Sequence, residues 1–206
     1  KNSLLKSLTD GTTLAFVKAV EIRDPYTAGH QQRVSRLSYA LAEALNLDPG
    51  RRDATRMAAL LHDVGKISVP SELLSKPGRL SELELQLIRQ HPVISADILK
   101  SIDFPYPISQ FVREHHEKMD GSGYPDGLTG ENISLESRII CVADVMDAMV
   151  SHRPYRPSRG LKYALAEITE NAGRLYDPTV VAACVSLFET GAFSFEEQVG
   201  QAVLFN

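Results

Sequence analysis

Apolar residues recur along this chain at three- and four-residue intervals, and no segment alternates polar and apolar residues between hairpin turn signals. That periodicity restricts the fold to packed helices, so the expected class is all-α. From about His30 to Leu45 the apolar positions are Val34, Leu37, Leu41 and Leu45, ahead of the breaker Asp48-Pro49-Gly50. Further helices are predicted over Leu14–Ile22, over Arg52–His62 with a stop near Gly65, over Ile108–His116, from the cap Ser134 to about Met149, and over Leu161–Ala172. Ser81 and Glu84 have capping-box spacing and open a helix expected to end near His91-Pro92. Asp177-Pro178 supplies a cap and a first-turn proline for a last core helix, and Gly173 is a plausible residue just past the helix before it.

The 206 residues, 43% of them hydrophobic, suffice for one sizeable core. The expected division is a helical lead-in over 1–18, a catalytic domain over 19–190 and a packed tail over 191–206. Leu4, Leu5, Leu8, Leu14 and Val17 of the lead-in would pack on the bundle or on a second copy in a homodimer. No apolar run approaches the roughly 20 residues of a membrane span. A net charge of −4 gives no reason to expect broad nucleic-acid binding. Cys141 and Cys184 lie in apolar helical patterns, which reads as buried thiols in a reducing cytoplasm. The chain opens on Lys1 rather than Met, as a segment cut from a longer protein would.

Against this apolar background a few polar residues stand out. His62-Asp63 directly follow the apolar run Met57–Leu61, and Asp144 shares a helix face with Ile140 and Ala148. A buried carboxylate costs several kcal/mol, to order of magnitude, unless a cation or strong donors compensate it. Singly, each has a salt bridge or a cap as its ordinary answer. Together, with His30, His91, His115 and His116 on or at the ends of other helices, they point to a shared metal site inside a bundle. His115 and His116 are about 100° apart around a helix axis and could serve one ion or two neighbours.

Two strings carry a family resemblance. His62-Asp63-Val64-Gly65-Lys66 and His115-His116-Glu117-Lys118-Met119-Asp120-Gly121-Ser122-Gly123-Tyr124-Pro125 resemble the two signatures of HD-GYP domains. His91-Pro92 is similar to the family's intermediate His-Pro. The stretches from Arg23 to His30, from Val142 to Ala148 and from Arg153 to Arg156 resemble flanking motifs, so the likeness runs from about Ala19 to Phe188.

The resemblance implies a bacterial hydrolase of cyclic di-GMP, releasing the linear dinucleotide pGpG, GMP or both. It carries metal-ligand roles onto His30, His62, Asp63, His91, His115, His116 and Asp144, with Asp63 bridging two ions. Tyr26 stands where some relatives place a third-metal glutamate, so two ions are expected. Iron or manganese is favoured by the resemblance; the ligand set also suits zinc, nickel or cobalt. A hydroxide shared by the metals would attack phosphorus, with Lys66 offsetting charge on the scissile phosphate.

By the same resemblance Arg153 and Arg156 would contact phosphate, which a planar guanidinium suits. Tyr124 would meet a guanine in a loop loosened by Gly121, Gly123 and Gly127. Asp147 is a candidate to support a metal ligand, contact substrate or pair with an arginine. His152 receives no role, and no general acid is identified. Competing readings are a hydrolase of another nucleotide, such as cyclic GMP-AMP or an alarmone, and a receptor without catalysis. The resemblance also implies an upstream sensor or receiver domain and a diguanylate-cyclase (GGDEF) protein as partners.

Overall fold

A computed structural model describes residues 2–23, 29–151 and 160–195, with side chains from residue 11 onward. The described residues form ten α-helices and two short 3-10 turns, without strands. The helices are α1 (Asn2–Glu21), α2 (His30–Ala44), α3 (Pro49–Leu61), α4 (Ser71–Leu74), α5 (Glu82–Ile88), α6 (His91–Leu99), α7 (Ile108–Glu114), α8 (Leu135–Val150), α9 (Leu161–Glu170) and α10 (Pro178–Glu189). The all-α expectation holds.

The core forms where α2, α3 and α8 pack together, with α7 against α3 and α6 against α7. Val34, Leu37 and Leu41 of α2, Ala58 and Ala59 of α3, and Ile139, Ile140, Val142 and Met146 of α8 are all fully buried. Helices α9 and α10 close over α8 through Ala164, Ile168, Val180 and Cys184. Val17 and Val20 of α1 are buried as well. Both cysteines are free and buried.

Capping follows local chemistry. Asp48 accepts from the Arg51 amide at 3.1 Å with Pro49 in the first turn, and Asp177 accepts from the Thr179 amide at 2.7 Å ahead of Pro178. Ser81 and Glu84 complete the capping box. Helix α5 ends at Ile88, near His91-Pro92 as expected, and that dipeptide opens α6, where a proline in the first turn gives up an amide that would be unpaired in any case. Helix α3 ends at Leu61, short of Gly65 as expected, and the chain tightens into a 3-10 turn, Val64–Ser68. One expectation needs correction. Ser134 precedes α8 without capping it, because its hydroxyl donates to Glu114 at 2.6 Å.

Candidate metal centre

Four elements deliver the site from their ends. His62 and Asp63 follow α3, His91 begins α6, and His115 and His116 follow α7. His30 begins α2, and Asp144 projects from the middle of α8. Gly65 allows the turn after Asp63 to press on α6, since a Cβ there would stand 2.2 Å from the His91 carbonyl oxygen. Ser95 fastens the same contact by accepting from the Gly65 amide at 2.7 Å and donating to the His62 carbonyl at 2.9 Å.

The imidazoles are oriented by their own helices. His62 Nδ1 donates to Ala59 O at 2.7 Å, His91 Nδ1 to Ile88 O at 2.8 Å, and His115 Nδ1 to Val112 O at 2.6 Å. A carbonyl only accepts, so each Nδ1 carries a proton, and each ring in its neutral form turns a bare Nε2 lone pair inward. Two of these, on His91 and His115, face each other at 3.4 Å. Opposed lone pairs at that distance repel, and a cation coordinated by both removes the conflict. This arrangement is the usual support for metal-bound histidine.

Three groups have donor atoms within 4.8 Å of one another: His91, His115 and His116; His30, His62 and Asp144; and His62, Asp63 and His115. All seven residues expected as ligands therefore converge. Asp63 lies between them, with Oδ1 3.2 Å from His91 Nε2 and Oδ2 3.4 Å from His62 Nε2. Asp144 Oδ1 is 3.2 Å from His30 Nε2. Its side chain keeps 16% exposure. His115 and His116 place their ring centroids 4.0 Å apart, just past the end of α7.

The electrostatics suit a cation. Burial lowers the pKa of His62, and burial with neighbouring imidazoles drives His115 and His116 well below the ordinary histidine value, which keeps them neutral. Burial raises the Asp63 carboxyl, yet Lys66 and the imidazoles of His62 and His91 outweigh it and hold it well below the usual range. Asp144 behaves alike, burial opposed by His30 above all. His30 differs: burial lowers its pKa, but the bonds to Asp144 and Asp147 raise it to about 9.

Lys66 Nζ is 2.7 Å from Asp63 Oδ2. A 3-10 turn eclipses residues three apart, which sets Lys66 over Asp63 rather than one α-turn after His62. Asp147 is 1% exposed; Oδ2 accepts from His30 Nδ1 at 2.7 Å, and Oδ1 accepts from Arg33 Nε at 2.6 Å. Tyr124 places its ring 4.8 Å from that of His116. Burial, then the Asp144 and Asp63 carboxylates, raise its pKa, so it remains a neutral phenol. Arg153, Arg156 and His152, together with Tyr26, lie outside the described residues.

Sequence reasoning missed what holds the Tyr124 loop. Glu117 is 2% exposed and accepts from the amides of Asp126 at 2.7 Å, Gly127 at 3.1 Å and Leu128 at 3.0 Å. A Cβ on Gly123 would lie 2.4 Å from Glu117 Cα, so only glycine lets the loop return across that residue. Arg113 clamps the loop from outside through both oxygens of Asp126, at 2.7 and 2.8 Å. The adjacency of Glu117 to the two histidines was the available signal.

With the site assembled, comparison with known proteins decides the family. The HD domain family model matches residues 15–180. The chain belongs to the HD domain family. A Bdellovibrio bacteriovorus structure described as an HDG"Y"P protein shares the fold, with TM-score 0.62 and 22% identity, covering 78% of this chain and 51% of that one. The cyclic di-GMP phosphodiesterase response regulator RpfG of Xanthomonas campestris pv. campestris is 40% identical over 192 residues, 92% of this HD domain chain and 50% of the relative. The 3'3'-cGAMP-specific phosphodiesterase 3 of Vibrio cholerae is 41% identical over 169 residues, 82% of this chain and 37% of the relative. The HD domain chain thus spans half or less of the length of these curated relatives. Among its described residues no helix is long and apolar enough to cross a membrane.

Proposed function

We propose that this HD-GYP domain is a metal-dependent phosphodiesterase that hydrolyses cyclic dinucleotides, cyclic di-GMP first among them, to pGpG, GMP or both. The observation that carries the reading is the opposed pair of bare Nε2 atoms on His91 and His115 beside the two-sided carboxylate of Asp63. His30, His62 and Asp144 would hold one ion, His91, His115 and His116 the other, and Asp63 would serve both. Iron or manganese is the favoured pair. When bound, the ions acidify water and neutralise the oxygens of a phosphodiester.

The chain's own residues do the rest. Lys66, beside Asp63, offsets negative charge as it grows on the phosphate. Asp147 acts as a positioning residue: it holds a proton of His30 on Nδ1, so that the proton an ion would displace is the one on Nε2. Tyr124, held against His116, offers a flat face to a base. Arg153 and Arg156 remain the proposed phosphate clamps. A second reading, hydrolysis of 3'3'-cGAMP, is favoured by the similarity to the Vibrio cholerae enzyme.

Incubating the iron- or manganese-loaded protein with cyclic di-GMP, 3'3'-cGAMP and a guanosine alarmone separates the cases. Release of linear product from cyclic di-GMP supports the reading. Product from the alarmone alone, or from none with metal in place, overturns it.

A further inference from the structure

Arg89 is the C-terminal cap of α5, two residues before His91. It is exposed, and its guanidinium carbon lies 5.4 Å from the centroid of the Tyr124 ring. A cation over an aromatic face is attracted to it, so the arginine has a preferred perch rather than an arbitrary one. Its guanidinium takes part in no hydrogen bond or ion pair to a described residue, whereas Arg33, Arg51, Arg52, Arg113 and Arg138 all engage carboxylates. Beside Asp63 there is already a cation in Lys66.

We propose that Arg89 reads the base that stacks on Tyr124, donating two hydrogen bonds to O6 and N7 of a guanine. The inference rests on the cyclic-dinucleotide reading and deepens it by naming a specificity residue. A planar fork matches the paired acceptors of guanine. Adenine presents N7 beside an amino donor, which opposes one arm of the same fork. Tyr124 supplies stacking that any base can use, so discrimination falls to Arg89, which leaves the ring face it covers when a base stacks there. Cyclic di-GMP and 3'3'-cGAMP both carry a guanine for this place; cyclic di-AMP carries none.

The test is equilibrium binding of these three ligands by calorimetry to the metal-loaded wild type, Arg89→Ala and Arg89→Lys, with thermal melting to confirm that the variants fold. Wild type is expected to bind cyclic di-GMP about tenfold or more tighter than cyclic di-AMP. That ratio falls towards one in both variants, because lysine restores the charge but not the fork. A ratio unchanged in Arg89→Ala overturns the proposal. So does an equal loss for all three ligands, which would make Arg89 a phosphate contact. Binding is read apart from turnover: preferential guanine binding without hydrolysis sinks the phosphodiesterase reading and leaves this one standing.

Discussion

At the scale of single residues, the site works because protons are placed before any ion arrives. Three imidazoles give their Nδ1 protons to carbonyls three residues back, and His30 gives its own to Asp147. Replacing Asp147 with Asn substitutes a neutral amide for the carboxylate that orients His30 and pairs with Arg33. Metal affinity is expected to fall about 10- to 100-fold, read by competition with a chromogenic chelator. Unchanged affinity would show that His30 needs no partner. Gly65→Ala tests a different constraint. Its methyl meets the His91 carbonyl oxygen at 2.2 Å and the Ser95 amide nitrogen at 2.6 Å, so α6 must shift. The expected loss is about 1–3 kcal/mol in urea unfolding.

At the scale of elements, every proposed ligand but Asp144 sits at or just beyond a helix end, where backbone geometry is free to aim it. The convergence of these seven residues was legible because histidines and aspartates interrupt apolar runs and fall in recognisable strings. Their hydrogen-bond partners were not. Asp147 meets His30 across 117 residues of sequence, and only packing of α8 on α2 brings them together. The break after His62 was visible as Gly65, but its continuation as a 3-10 turn depends on contact with α6 that no local pattern records. Likewise, Glu117 looks like a helix-end acid until the loop 126–128 folds back onto it. Glu117→Gln puts an amide donor among three backbone donors; stability should drop by about 1–3 kcal/mol. Limited proteolysis should then cut within residues 124–128 before the domain unfolds, a region that stays resistant in wild type.

At the scale of the molecule, the helices form a scaffold whose interior carries converging lone pairs and carboxylates beside a conventional core. The core is sensitive in the ordinary way: Leu41→Ala, at a fully buried position, should cost about 2–5 kcal/mol. The polar centre couples stability to its ligand. Ions that bind the folded state alone add about 2.7 kcal/mol at a free concentration one hundred times their dissociation constant. Calorimetric scans should therefore place the metal-loaded protein several degrees above the chelated one. The measurement that reaches the central claim most directly is bound metal and cyclic di-GMP turnover determined on the same preparations of wild type and Asp63→Ala. The account predicts about two ions and turnover in wild type, with both lost together in the variant; a variant that keeps its metal and its turnover would contradict it.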